Sequence, residues 1–246
     1  MENLNGKIAL VTGGNRGIGY AAAKQLKAQG AQVIITGRRA EPLEQAAADL
    51  GVIGLVSDQG RVAAIEELAW KISQQYGRID ILFINAGVLG GSSIEGAAES
   101  DFDYVMDVNF KGAYFTLSRF IPLLSVGASV IFLSSNTASM SGANSSIYSS
   151  SKAALNSVMK IAAVELAPRG IRVNAISPGP IQTEILNKLG LDEAGRKGLD
   201  DWMIGRIPLR KIGSADDVAK MVDFLCSDAS GFITGSEIIM DGGMSL

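Results

Sequence analysis

Short apolar runs rich in valine and isoleucine alternate along this chain with longer stretches in which apolar residues recur at helical spacing. Such alternation is typical of βαβ units, which bring parallel strands into one sheet and cover both faces with helices. We therefore predict an α/β fold with a doubly wound parallel sheet of about seven strands. The predicted strands span residues 7–12, 32–36, 54–57, 79–85, 129–133, 172–177 and 237–240, and the predicted helices 19–29, 63–76, 101–124, 150–167 and 215–226.

No linker, repeat or low-complexity tract interrupts this series, so we predict one domain over residues 1–246. Residues 178–208 differ from the rest because proline and glycine are frequent there and no role in the sheet is evident. In a doubly wound fold such a segment suits a loop or helical cover above the carboxyl ends of the strands. We predict that it covers a substrate.

The absence of histidine from the sequence removes Ser-His-Asp and Cys-His nucleophile systems and the usual zinc sites. We therefore predict an acid or base of another type and no metal site. The formal net charge of −3 argues against nucleic acid and anionic membranes as partners. No apolar run approaches the roughly 20 residues that cross a bilayer. The single Cys226 cannot form an internal disulfide, so the cytoplasm is the predicted compartment.

A glycine-rich turn follows the first predicted strand and opens the first predicted helix. Residues 12–19 read TGGNRGIG. Glycines at such a turn let the backbone approach a pyrophosphate, and the helix N-terminus offers free N–H groups and partial positive charge. A purely structural turn would also use glycine, but the strand before it and the helix after it favour a dinucleotide site.

The end of the second predicted strand indicates which dinucleotide would bind. Sites for NAD usually place an acid about twenty residues after the glycine turn, against the ribose 2′-hydroxyl. This chain has Gly37, Arg38 and Arg39 there, and Arg16 lies within the turn itself. Guanidinium groups pair well with a 2′-phosphate. An ordinary basic surface exposed to solvent would give the same sequence pattern. The missing acid favours NADPH or NADP+ as the cofactor.

Tyr148 and Lys152 are four residues apart, so on a helix their side chains share one face. A neighbouring ammonium favours the phenolate form of tyrosine and brings its pKa closer to the pH at which acid–base catalysis is efficient. This pair alone would be weak evidence, because the spacing is frequent by chance.

Five ordered motifs together resemble the short-chain dehydrogenase/reductase family. They are the glycine turn, Asn85-Ala86-Gly87 after a strand, Ser135 thirteen residues before Tyr148, the Tyr148 and Lys152 pair, and Pro178-Gly179. The resemblance runs from about residue 6 to residue 243 and is closest to the short, single-domain branch with a Rossmann-type fold.

The resemblance implies a catalytic tetrad and a set of cofactor contacts. Tyr148 would be the general acid or base, Ser135 would polarise the substrate oxygen, Lys152 would lower the tyrosine pKa and hold the nicotinamide ribose, and Asn109 would kink a helix and hold a relay water. Further cofactor contacts would be Gly13, Asn15, Arg16, Gly17, Ile18, Gly19, Arg38, Arg39, Asp58, Asn85, Ala86, Gly87, Pro178, Gly179, Ile181 and Thr183.

These residues predict an NADP(H)-dependent oxidoreductase that reduces a ketone, aldehyde or 3-oxoacyl group, or oxidises the alcohol. An NADP-linked isomerase and a catalytically silent nucleotide sensor are the alternatives. No Arg or Lys is evidently directed at a substrate carboxylate, so an apolar small-molecule substrate is favoured. Its predicted surroundings are Leu89, Ala138, Met140, Ile147, Ile185, Leu186 and Leu189. The family also implies a homotetramer, with contacts through helices 101–124 and 150–167 and the C-terminal strand.

Overall fold

The computed structural model of this protein describes residues 4–183 and 192–246. Nine strands occur within these ranges: β1 (Ile8–Val11), β2 (Gln32–Gly37), β3 (Ile53–Val56), β4 (Ile79–Ile84), β5 (Leu124–Leu133), β6 (Arg172–Pro178), β7 (Ile181–Gln182), β8 (Gly213–Ser214) and β9 (Glu237–Met240). The helices are α1 (Gly17–Ala28), α2 (Ala40–Leu50), α3 (Val62–Tyr76), α4 (Glu99–Met106), α5 (Gly112–Phe120), α6 (Ser146–Leu166), α7 (Glu193–Arg206) and α8 (Ala215–Cys226).

Seven of the strands form one parallel sheet in the order β3-β2-β1-β4-β5-β6-β9. The predicted doubly wound parallel sheet is confirmed. The chain runs outward from β1 to β3 and then returns to place β4 on the other side of β1. At such a reversal the loops leave in opposite directions, which opens a crevice at the carboxyl ends of the strands.

The core lies on both faces of the sheet because successive strand residues point to opposite sides. Leu10 and Val11 are neighbours in β1 and both fully buried. Leu10 packs in the cluster that includes α3, α5 and α6, whereas Val11 packs in the cluster that includes α1, α2 and α8. Coverage on both faces explains why the strand sequences are apolar throughout.

Two helices that the sequence analysis did not predict are α2 and α7. Helix α2 buries Leu43, Ala46 and Ala47, a spacing that does carry a helical signal. Helix α7 contains three glycines, which weaken intrinsic helix propensity, but the Asp192 side chain accepts a hydrogen bond from Gly195 N at 2.8 Å and caps its start.

The prediction of one helix over residues 101–124 is wrong. Helix α4 passes into a π-helical turn, Asp107–Lys111, which is followed by α5 and a short 3₁₀ segment, Ile121–Leu123. Leu124 already belongs to β5. The π turn inserts an extra residue into the helix and changes the direction in which Asn109 points. Among the helices of the described ranges, none has the length and apolarity that crossing a membrane requires.

Candidate active site

The carboxyl ends of β1, β4, β5 and β6 open into a cavity of about 560 Å³. Of the sequence-predicted site residues, seventeen line this cavity: Gly13, Asn15, Arg16, Gly17, Ile18, Arg38, Asp58, Asn85, Ala86, Gly87, Ser135, Tyr148, Lys152, Pro178, Gly179, Ile181 and Thr183. Parallel strands end at the same edge of a sheet, so segments far apart in the chain meet here.

The glycine turn brings the backbone close to the Asn85-Ala86-Gly87 turn. Gly13 has φ 64°, and a Cβ atom there would lie 2.9 Å from the Cα of Ala86. Thr12 joins the two turns, because its hydroxyl accepts hydrogen bonds from the backbone N–H groups of Asn85 and Ala86, both at 3.0 Å. The Asn85 side chain returns a bond to Thr12 O at 2.8 Å. The Asn85 side chain therefore stabilises the glycine turn through a hydrogen bond to its backbone.

The N-terminus of α1 faces the cavity without a side-chain cap. Arg16 is its N-cap residue and makes no capping hydrogen bond. The first N–H groups of a helix have no partner within the helix, and they carry partial positive charge. The uncapped helix end beside the glycine turn therefore has the donor set and polarity that a pyrophosphate requires.

Arg16 and Arg38 supply two exposed guanidinium groups to the cavity wall. No salt bridge of residues 4–183 and 192–246 involves either of them. Arg39 does not line the cavity and instead precedes α2 as its N-cap residue, which corrects its predicted position. Two unpaired cations on one wall can bind an anionic group.

Gly19 also lies off the cavity wall, contrary to the prediction of a direct cofactor contact. A Cβ atom at this position would lie 2.5 Å from Asn85 Nδ2. Gly19 therefore allows close packing of α1 against the turns, and its effect on a ligand is indirect.

The side chains of Ser135 and Tyr148 meet at the inner end of the cavity. Ser135 follows β5 and Tyr148 lies in the first turn of α6. Burial raises the pKa of Tyr148, and a hydrogen bond with Ser135 acts in the opposite direction. The neighbouring Ser134 is buried, and its hydroxyl donates to Lys152 O at 3.3 Å. Ser134 is thus engaged with the backbone of α6.

Lys152 is 3% exposed, and its Nζ atom donates a hydrogen bond to Leu133 O at 2.8 Å. The same Nζ atom lies 5.8 Å from the centroid of the Tyr148 ring. Burial lowers the pKa of Lys152 to about 8. The cavity therefore holds a phenol whose pKa is raised and an amine whose pKa is lowered, so the two pKa values lie further apart than in water.

Asn109 lies behind the cavity wall and is fully buried. Its side chain accepts from Val88 N at 2.8 Å and donates to Val88 O at 2.9 Å and to Ser151 Oγ at 3.2 Å. It ties the π turn to the loop after β4 and to α6. Asn109, where a kink was expected, lies within the π-helical turn Asp107–Lys111.

A family model described as enoyl-(acyl carrier protein) reductase matches residues 13–245. Dehydrogenase/reductase SDR family member 4 of Homo sapiens is 35% identical, over 98% of this chain and 88% of that protein. A solved short-chain dehydrogenase/reductase from Serratia marcescens is 30% identical, with a TM-score of 0.92 over 100% of both chains. The chain belongs to the short-chain dehydrogenase/reductase family.

A further member of the short-chain dehydrogenase/reductase family with similar sequence is versicolorin reductase 1 of Dothistroma septosporum. It is 32% identical, over 98% of this chain and 96% of that protein. The described ranges contain no cluster of side chains suited to a metal ion. The similarity to these relatives shows that the protein is an oxidoreductase of this family.

Only some of the residues predicted to surround the substrate line the cavity. Leu89 and Met140 line it, whereas Ala138 does not and Ile147 is buried at the start of α6. The predicted contacts Ile185, Leu186 and Leu189 lie outside the described residues. The sequence analysis missed Trp202, Met203, Arg206 and Met244, which also line the cavity.

Arg206 is a basic residue on the cavity wall that the sequence analysis did not consider. It is the last residue of α7, and its guanidinium carbon lies 4.9 Å from the centroid of the Trp202 ring. The signal that could have located both residues is their spacing of four in a segment that was not recognised as a helix.

Proposed function

We propose that this oxidoreductase uses NADP(H) to interconvert a carbonyl group and an alcohol, with Tyr148 as the general acid or base. The observation that carries the proposal is the meeting of Tyr148, Ser135 and buried Lys152 in the cavity that the uncapped end of α1 also faces. The roles that the family resemblance implies for these residues are compatible with their positions.

The preference for NADP(H) over NAD(H) rests on charge. Arg16 and Arg38 face the cavity without a carboxylate partner in a salt bridge of the described residues. Gly37, at the end of β2, provides no acid that would accept a ribose 2′-hydroxyl and repel a phosphate. This donor set suits a dinucleotide with a 2′-phosphate.

The bound nicotinamide would supply the hydride, and the protein would supply orientation and a proton. In the reducing direction, Ser135 donates a hydrogen bond to the carbonyl oxygen and Tyr148 delivers its phenolic proton to that oxygen as negative charge develops. In the oxidising direction, the Tyr148 phenolate removes the hydroxyl proton. Lys152 in its ammonium form stabilises that phenolate, and its Nζ can also bind the ribose hydroxyls of the cofactor.

An apolar carbonyl compound is the substrate class that most of the wall favours. Leu89, Met140, Trp202, Met203 and Met244 present apolar surface on the substrate side. Apolar and aromatic walls with few polar groups are typical of small-molecule sites, and the polar groups determine how the ligand is oriented. Here Ser135 and Tyr148 would select the reacting oxygen.

A 3-oxoacyl thioester is the second candidate, and Arg206 favours it. An exposed guanidinium on the cavity wall could bind the phosphate of a coenzyme A or carrier-protein thioester. If so, Arg206→Met should raise KM for a 3-oxoacyl coenzyme A thioester about tenfold while leaving a neutral ketone within about twofold. Equal KM values for wild type and variant with the thioester would remove this candidate.

We also propose a homotetramer in the cytoplasm. Exposed apolar side chains on α4, α5 and α6 support contact with other copies of the chain, and Val164 is 75% exposed. Others on these helices are Phe102, Tyr104, Tyr114 and Ile161. Static light scattering at micromolar concentration should give a tetramer mass, and a monomer mass would overturn this part of the proposal.

The decisive experiment for the reaction is to follow oxidation of NADPH, and separately NADH, with ketones, aldehydes, diketones and 3-oxoacyl thioesters. Faster oxidation of NADPH is expected. Faster oxidation of NADH would contradict the cofactor preference but retain the reaction class. Product analysis separates net reduction from isomerisation, and tight NADPH binding with no turnover across the panel would favour a sensor.

A further inference from the structure

The loop that carries Ser135 also carries Thr137. The Thr137 hydroxyl has no role in the chemistry proposed above. Ser135 has an extended backbone and is followed by a 3₁₀ turn, Asn136–Ala138. Its Oγ atom accepts a hydrogen bond from Thr137 N at 3.3 Å and another from Thr137 Oγ1 at 3.0 Å. Both side chains line the cavity.

The two hydrogen bonds from Thr137 occupy both acceptor positions of the Ser135 hydroxyl. A serine hydroxyl has two lone pairs and one proton. With both lone pairs engaged by Thr137, the serine proton is left for an acceptor in the cavity. The acceptors available there in the proposed reaction are the substrate carbonyl oxygen and the Tyr148 phenolate.

Only one hydrogen-bond direction satisfies every group when a carbonyl compound is bound. A carbonyl oxygen can only accept, so Ser135 must donate to it. The Thr137 hydroxyl must then donate to Ser135, whatever rotamer its proton has in the free protein. Donors arranged in such a chain polarise one another and strengthen the last bond.

We propose that Thr137 is a positioning residue, whose hydroxyl directs and polarises the Ser135 proton toward the reacting oxygen. The inference rests on the proposed function, because it requires a carbonyl or alcohol at Ser135. The backbone N–H of Thr137 holds Ser135 in place, and the Thr137 hydroxyl sets the direction of its donation. In this role Thr137 acts on the reacting oxygen through Ser135.

The chain of hydrogen bonds that begins at Thr137 and passes through Ser135 extends to Tyr148. The hydrogen bond with Ser135 lowers the pKa of Tyr148 against the larger effect of burial. Loss of the Thr137 hydroxyl would weaken that bond, so the Tyr148 pKa would rise further. The charged groups on the cavity wall are the same in all Thr137 variants, and they are Arg16, Arg38, Asp58, Lys152 and Arg206.

The test compares Thr137→Val with Thr137→Ser. Valine keeps the shape and the backbone bond but lacks the hydroxyl, whereas serine restores it. We expect Thr137→Val to lower kcat about tenfold, with KM for NADPH within about twofold, and to move the midpoint of alcohol oxidation up by about half to one pH unit. Thr137→Ser should return both values to near those of wild type.

An ultraviolet titration of tyrosinate supplies a readout that needs no turnover. The Tyr148 signal is obtained by subtracting the Tyr148→Phe titration in each background, and its midpoint should rise in Thr137→Val. A midpoint unchanged from wild type in Thr137→Val, or raised equally in Thr137→Ser, would overturn the role of Thr137. Failure of all carbonyl substrates with wild type would instead overturn the proposed function.

Discussion

The Nζ atom of Lys152 lies 5.8 Å from the centroid of the Tyr148 ring and donates a 2.8 Å hydrogen bond to the carbonyl oxygen of Leu133. Helix spacing brings Lys152 to the same face of α6 as Tyr148, while the bond to Leu133 fixes it against the end of β5. Burial lowers its pKa to about 8. The protein therefore keeps a lysine where its charge is costly, in a position beside the Tyr148 ring.

Replacement of Lys152 by methionine should stabilise the fold at neutral pH. The unfolded chain has the ordinary lysine pKa of 10.5, so between pH 8 and 10.5 it binds more protons than the folded protein. The stability of wild type should therefore rise with pH across this window. We expect Lys152→Met to be more stable by about 1–3 kcal/mol at pH 7, with a smaller difference at pH 9.5.

Urea denaturation at pH 7 and pH 9.5 measures this difference. Lys160→Met is the matched control, because Lys160 lies on the same helix but is exposed. It should change stability by no more than about 0.5 kcal/mol at either pH. A Lys152→Met protein less stable than wild type at pH 7 would contradict the charge argument.

Tyr148→Phe should abolish turnover without loss of cofactor binding. The phenol supplies the transferred proton in the proposed reaction, whereas the ring occupies the same space in both proteins. We expect kcat to fall at least about a thousandfold and the Kd for NADPH to stay within about threefold. Tyr76→Phe, which lies at the end of α3 and off the cavity wall, should retain activity. Near wild-type turnover in Tyr148→Phe would exclude the proposed mechanism.

Arg38→Gln should weaken NADPH selectively. A charge-assisted bond to a 2′-phosphate is worth about 1.5–3 kcal/mol, so KM for NADPH should rise about ten- to a hundredfold while KM for NADH changes by less than about twofold. Arg39→Gln is the matched comparison and should have a much smaller effect, because Arg39 lies off the cavity wall. Steady-state kinetics with NADPH and with NADH measure these changes. Equal KM values for NADPH in the two variants would contradict the role of Arg38.

Gly19→Ala should disrupt the glycine turn although Gly19 lies off the cavity wall. Its Cβ would lie 2.5 Å from Asn85 Nδ2, so α1 or the Asn85 turn must move. We expect a loss of about 1–3 kcal/mol in stability and weaker NADPH binding. Gly198→Ala, in α7 with open space around it, should be neutral or stabilise by up to about 1 kcal/mol. Thermal unfolding measures the stability of the two variants, and cofactor titration measures their NADPH binding. A Gly19→Ala protein with the stability of wild type would refute the packing argument.

The strand pattern and the site motifs could be predicted from sequence because both depend on neighbours along the chain. Helical period follows from local backbone geometry, and continuous apolar runs mark strands that are covered on both faces; these runs indicated all seven strands of the main sheet. The same holds for Tyr148 and Lys152, whose four-residue spacing places them on one helical face. Helix α7 escaped prediction because its three glycines mask the pattern.

What the sequence by itself determined is therefore the seven strands of the main sheet and the family motifs, which contain the side chains that we propose to react. Only the tertiary structure decided that Arg38 lines the cavity while Arg39 does not, that Arg206 also lines it, and that Thr137 bonds to Ser135. These relationships depend on the angle at which helices and loops pack against the carboxyl edge of the sheet. That angle is set by contacts between residues far apart in the chain, which local spacing does not encode.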